Sequence, residues 1–326
     1  MQTTRCSAIT LVGLLLAGAA GAARAQADAY PVKPLRMIVP YPPGGSADLN
    51  ARLVQPKFAE LLGQQIIVDN RGGASGMIGT ELVARSSPDG YTLLLQSVPF
   101  VTTPIVYGRA PYDALNDFAP ISLLSSLPMA VSVHPSIPAR TVRELLVLAQ
   151  AKPGALYYGS AGIGTNSHIT GELFNLLGKT RMQAVHFKGG GPALVAVVSG
   201  EIHVAFSNIA ETSRMVAAGR LRPLALSSAQ RTPVMPEVPT NAEAGLPDFE
   251  FSGWHGLLAP RATPTRTVAT LNEKLRSALS SPGEIKRFQE RGIDLVTNSP
   301  EEFAAYLKHE VVKWTAVIKE RNIKAE

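Results

Sequence analysis

Val39-Pro-Tyr-Pro-Pro-Gly-Gly-Ser-Ala-Asp48 decides the fold. Leu35-Arg-Met-Ile-Val39 before it reads as a buried strand. Behind it Ala47, Ala51, Val54, Phe58 and Leu61 recur at the spacing of one helix face. A buried strand passing through a proline- and glycine-rich turn into an amphipathic helix is the opening unit of an α/β protein with parallel strands. The prolines stiffen the approach, and Gly44 and Gly45 let the backbone lie close to a ligand. Ser46 is read as the helix cap, and the free N–H groups of the first turn, with the helix dipole, suit an anion. The plainer reading is a capped strand-to-helix turn, with Asp48 complementing the dipole.

The same alternation runs outward along the chain. Gln65 to Val68 and Tyr91 to Leu95 are expected strands, and Ile121 to Val133, interrupted only by Pro128, is long enough to cross between lobes. A second set follows. Thr141 to Ala151 is helical, Ala155 to Tyr158 extended, and Ile169, Leu173, Leu176 and Leu177 form a stripe stopped by Gly178. Ala184 to Phe187, Ile202 to Phe206 and Leu221 to Ser227 read as strands. Pro192 to Val198 and Ala210 to Ala218 read as helices. Phe249 to Leu258 is the expected return crossing. The tail is helical in three pieces, Pro264 to Leu279, Pro282 to Arg291 and Pro300 to Ile318.

Tyr158-Gly-Ser-Ala-Gly-Ile-Gly-Thr-Asn-Ser-His168 repeats the logic of the first turn: strand, glycine-rich turn, helix. Ligands of open α/β sheets bind beyond the carboxyl ends of the strands, so two such turns facing each other would hold a small anion. Lys188-Gly-Gly-Gly-Pro192 is a third turn of the type, whose glycines serve folding at least as well as binding.

Met1 to Ala25 reads as an export leader. It has a short basic start, an apolar core from Ala8 to Ala20, and Ala23-Arg24-Ala25 before a cut. That core is too short to span a bilayer. The single cysteine, Cys6, precedes it, so neither lipid attachment nor a disulfide in the mature chain is expected. The formal charge of +6 falls to +4 without Arg5 and Arg24, and no basic run accompanies the 6% aromatic content. Nucleic-acid binding is therefore not expected.

Other chemistries lack their motifs. From Gly162 and Gly164 the last position of a dinucleotide fingerprint is Ser167, and no phosphate loop exists. His309-Glu310 leads to Lys313 rather than to a second metal-binding histidine, the other histidines stand singly, and no nucleophile elbow occurs. No metal, no cofactor and no catalytic residue is expected.

The chain resembles the Bug-type solute receptors, the periplasmic substrate-binding subunits of tripartite tricarboxylate transporters. The resemblance rests on Val39 to Asp48, Asn70 to Gly76, Pro88 to Leu93, Gly159 to Thr165 with His168, Phe187-Lys-Gly189, Pro236 to Thr240 with Glu243-Ala-Gly245, and Trp254. It implies an α/β, bilobed periplasmic-binding-protein (Venus flytrap) fold, its two lobes joined by two crossing strands. The expected division is leader 1–25, lobe 1 over 26–125 and 253–326, and lobe 2 over 126–252. It also implies a monomeric, non-enzymatic receptor that captures a small carboxylate between the lobes and delivers it to a membrane permease. The alternative is a periplasmic sensor feeding a signalling system. The candidate ligand-binding residues are Tyr41, Ser46, Ala47 and Asp48 from the first turn, Ser160, Gly164, Thr165 and His168 from the second, and Ser97 and Asn208 at strand ends. Tyr41 and Asn166 are expected to tune selectivity, and Asn70-Arg71 and Asp89-Gly90 to hold turns.

Overall fold

The computed structural model describes residues 30–320 and 322–324; the leader expected over Met1 to Ala25 lies outside them. Leu35–Val39 forms β1, with Leu35, Met37, Ile38 and Val39 fully buried. It pairs in parallel with β2 (Ile66–Asn70) on one side and β3 (Thr92–Ser97) on the other. The helix between β1 and β2, α1 (Ser46–Leu62), buries Ala47, Ala51, Val54, Phe58 and Leu62, and Gly63 ends it in the left-handed region at φ 66. The last buried position is Leu62 rather than Leu61.

A second trio repeats this order. β5 (Tyr157–Ser160) lies in parallel between β6 (Gln183–His186) and β7 (Val204–Asn208). α4 (Val142–Ala151) precedes β5, and α5 (Asn166–Leu177), α6 (Gly190–Val198) and α7 (Ile209–Ala217) follow β5, β6 and β7. The two trios are joined by β4 (Phe118–Val133) and β9 (Ser252–Pro260), giving the order β2-β1-β3-β9-β4-β7-β5-β6. β4 changes partners along its length. Phe118 to Pro128 pairs antiparallel with β9, and Met129 to Val133 with β7 and with β8 (Arg222–Leu226). Pro128 sits where the partner changes, which is where a missing donor is tolerated.

The tail returns to the first trio. α8 (Thr265–Leu279) packs on α1. α9 (Pro282–Gln289) leads into β10 (Asp294–Leu295), which pairs with β4 at Ser125 and Ser126. α10 (Pro300–Glu320) packs against β4 and against α3 (Pro99–Tyr107). One apolar cluster runs through Phe100, Phe118, Val131, Phe206, Trp254 and Trp314, from one trio to the other, and a second lies between α1, β1 and α8. Among the described residues no helix is long and apolar enough to cross a membrane.

Several elements differ from expectation. α2 (Met77–Ala84), α3 and β10 are additions. β2 runs to Asn70, because Val39 pairs with that residue in register. Ser46 is not the cap of α1. Gly45 holds that place with extended backbone (φ −81, ψ 174) and has no side chain to cap the helix.

Candidate functional site

A cavity of about 710 Å³ opens where the carboxyl ends of both strand trios meet. Its size is that of a small-molecule site. Six helices begin at its walls: α1 after Gly45, α2 after Gly76, α3 beside Ser97 and Pro99, α5 after Thr165, α6 after Gly189 and α7 after Asn208. None of their N-cap residues makes a side-chain cap, although at α1 the Ser46 amide is taken by the Glu211 carboxylate. Away from the cavity, Thr141 caps α4 and Ser281 caps α9 through their hydroxyls. Uncapped helix starts leave amide N–H groups for a ligand and sum their dipoles into positive potential.

The walls touch around the cavity. Thr102 on α3 donates its hydroxyl to the Gly164 carbonyl at 2.5 Å. The Ser46 amide donates to the Glu211 carboxylate at 2.9 Å, joining α1 to α7. Gly162 (φ +131) leaves space for a close approach: a Cβ there would lie 3.2 Å from Ser75 Oγ.

Tyr41, Ser46, Ala47, Ser97, Thr165 and Asn208 line the cavity. The Tyr41 hydroxyl donates to Gln96 Oε1 at 2.7 Å, and Gln96 in turn reaches Thr80, which bonds the Gly76 carbonyl. Burial drives the Tyr41 phenol further above its ordinary range, so it stays a donor. Asn70 Nδ2 donates to the Tyr41 carbonyl at 3.1 Å, so Asn70 both holds the turn and lines the wall.

Asp48, Ser160, Gly164 and His168 stand behind the wall. Asp48 accepts from the Gly44 amide at 3.0 Å and from Arg52 Nε, which fixes the turn that aims α1. Burial alone would raise its pKa; the bonds from Arg52, Gly44 and Asn70 outweigh this and hold it below the ordinary carboxylate value. Ser160 Oγ donates to the Gly162 carbonyl at 3.0 Å and lies 2.9 Å from His186 Nδ1. His168 Nδ1 accepts from the Gly164 amide at 3.1 Å. Burial first, then the neighbouring His186, lowers the His168 pKa to about 4, so the ring is a neutral acceptor.

The wall holds further residues. Ala74 and Ser75 line the cavity from a bend with positive φ (47 and 53) in non-glycine residues. Gly189 to Pro192 form the third glycine turn and line it too, with Asn166, Lys188 and Glu211. Among the described residues no cluster of three or more histidine, cysteine, aspartate or glutamate side chains fit for a metal ion occurs.

Residues 50–323 match the model of the tripartite tricarboxylate transporter family receptor. The chain belongs to that family. This receptor is 34% identical over 326 residues to Protein BugT of Bordetella pertussis, covering 99% of each chain. Its fold superposes on R. palustris Rpa4515 with adipate at TM-score 0.87 and 33% identity, covering 91% of this chain and 99% of that one. MatC from Rhodopseudomonas palustris with bound malate matches at TM-score 0.84 and 31% identity, covering 89% of the receptor and 100% of that chain. The fold is the bilobed one of periplasmic binding proteins, and the protein is a solute-binding receptor, not an enzyme.

Proposed function

We propose that this receptor works in the periplasm, captures a small organic acid in the cavity and hands it to the permease of a tripartite transporter. The observation that carries the reading is the ring of helix starts around one cavity whose N-cap residues make no side-chain cap. A carboxylate placed there gains hydrogen bonds from main-chain amides and the field of several dipoles, without a dedicated arginine. The acids held by Rpa4515 and MatC, adipate and malate, support the same ligand class.

The two lobes are 26–125 with 253–326, and 126–252, and they close on the ligand about β4 and β9. A ligand carboxylate that bonds amides from both turns favours the closed form, because those contacts exist together only when the walls approach. Tyr41, Ser46, Ala47, Ser97, Thr165 and Asn208 make the contacts; Asp48, Ser160, Gly164 and His168 hold the turns in place. Calorimetry of the mature protein against a panel of mono-, di- and tricarboxylates and amino acids tests this. Saturable binding of at least one acid, lost when its carboxylate is replaced by a carboxamide, is expected. Equal affinity for the acid and its amide would overturn it.

A further inference from the structure

The ring of helix starts is interrupted by one acidic side chain. Glu211, in the first turn of α7, lines the cavity and accepts from the Ser46 amide at 2.9 Å. Its two oxygens lie 3.4 and 3.5 Å from where a Cβ on Gly190 would sit, so it also approaches the start of α6. The Asn208 side chain lies beside the same carboxylate and favours its charged form. Burial raises the Glu211 pKa, and the Ser46 amide and the Asn208 side chain oppose that rise.

Two more acceptors lie on this side. Asn208 is only 6% exposed, and its Oδ1 is buried without a hydrogen-bond partner. Asn166 Oδ1, at the start of α5, is buried and unpartnered as well. The two amides meet beside Gly253 of β9, where a Cβ would lie 2.8 Å from Asn166 Nδ2 and 3.5 Å from Asn208 Oδ1. An unpaired buried acceptor is costly, and a ligand donor that reaches it relieves the cost. The other charged residue on the cavity wall, Lys188, has an exposed side chain.

We propose that Glu211, Asn208 and Asn166 form a recognition site for a protonated amine, so that the preferred solute is an amphoteric acid, carboxylate at one end and ammonium at the other, rather than a dicarboxylate. The proposal rests on the carboxylate reading of the cavity. An ammonium group carries three donors and no acceptor, matching a carboxylate and two amide oxygens. A second carboxylate at that position faces a like charge and two acceptors, and gains nothing from either.

The test is calorimetry of the unliganded protein with matched pairs: succinate against β-alanine, and glutarate against 4-aminobutyrate. The wild type is expected to bind an amine-bearing member at least tenfold more tightly than its dicarboxylate partner. Glu211→Gln should cut that ratio at least tenfold, while Glu211→Asp, which keeps the charge, preserves its direction. Melting curves establish that each variant is folded; should E211Q not fold, E211D and a ligand-bound structure with the amine nitrogen within hydrogen-bond distance of Glu211 carry the test. Tighter binding of the dicarboxylate by the wild type, or a ratio unchanged in E211Q, overturns the amine site alone. Failure of every acid with wild type and variants overturns the carboxylate reading, and the amine site with it.

Discussion

Trp254, on the crossing strand β9, donates its indole N–H to Glu310 Oε2 on α10 at 2.9 Å. Trp314, one turn further along α10, donates to the same oxygen at 2.9 Å. All three side chains are almost fully buried. One carboxylate oxygen thus fastens the last helix to the strand that passes beside the cavity.

Replacing Glu310 by alanine leaves two buried indole donors without an acceptor. A loss of about 3 kcal/mol in unfolding free energy is expected, and about half that for Glu310→Gln, which keeps an acceptor. Urea unfolding of the two variants measures both. A loss below about 0.5 kcal/mol for the alanine variant would show that α10 is held by its apolar face alone.

Asp48 acts through the turn rather than on the ligand. Asp48→Ala frees the Gly44 amide and Arg52, and is expected to cost about 1–2 kcal/mol of stability. Affinity for the solute should fall about tenfold, because the turn that aims the start of α1 is no longer fixed. Calorimetry at a temperature where the variant is fully folded separates the two effects. Unchanged affinity would remove Asp48 from the account of binding.

Gly164 sits at φ +76, with room for a Cβ only at 3.3 Å from Thr103 Cα and Oγ1. Gly164→Ala therefore combines backbone strain with a tight contact, together about 1–2 kcal/mol. It also disturbs the carbonyl that Thr102 reaches. The melting temperature is expected to fall by about 2–4 °C. Thr102→Val, which removes the cross-wall bond without strain, should weaken ligand binding with a smaller change in melting.

Acidification reads the buried histidines. Burial lowers the His255 pKa to about 3, and burial with His186 lowers that of His168 to about 4. Both bind protons more readily in the unfolded chain, whose histidines titrate near 6.5. Their stabilising contribution is therefore full above about pH 6.5 and is lost as pH falls from there toward 4 for His168 and toward 3 for His255. For His168 this amounts to about 3 kcal/mol at most. Glu211 and Asp294 have raised pKa values and act in the opposite sense, favouring the folded state when protonated. The difference between wild type and His168→Gln isolates the histidine. Urea unfolding between pH 7.5 and 4 should show the wild type losing more stability than the variant.

Most of the framework is legible because its signals are local. β1 is a run of apolar residues, α1 carries one stripe from Ala47 to Phe58, and Thr141 announces α4 as its cap. α3 is hidden because Pro104 and its β-branched neighbours argue against a helix, and packing on α10 overrides that preference. β10 has two residues and exists only through its pairing with β4. At the cavity, Tyr41, Ser46 and Thr165 sit in turns whose glycines mark them. Glu211 lies far along the chain from Ser46, and nothing near either residue announces their bond. Ala74 and Ser75 adopt left-handed backbone without the glycine that would signal it.

The first strand trio borrows its border from the far end of the chain. On the ribosome, β1, β2 and β3 emerge with the open side of β3 bare, and it gains a neighbour only when Ser252 to Pro260 has been synthesised. Trp254 must wait longer still for Glu310. The amino-terminal third is thus made early and completed last, its sheet reaching full width only once the far end of the chain exists.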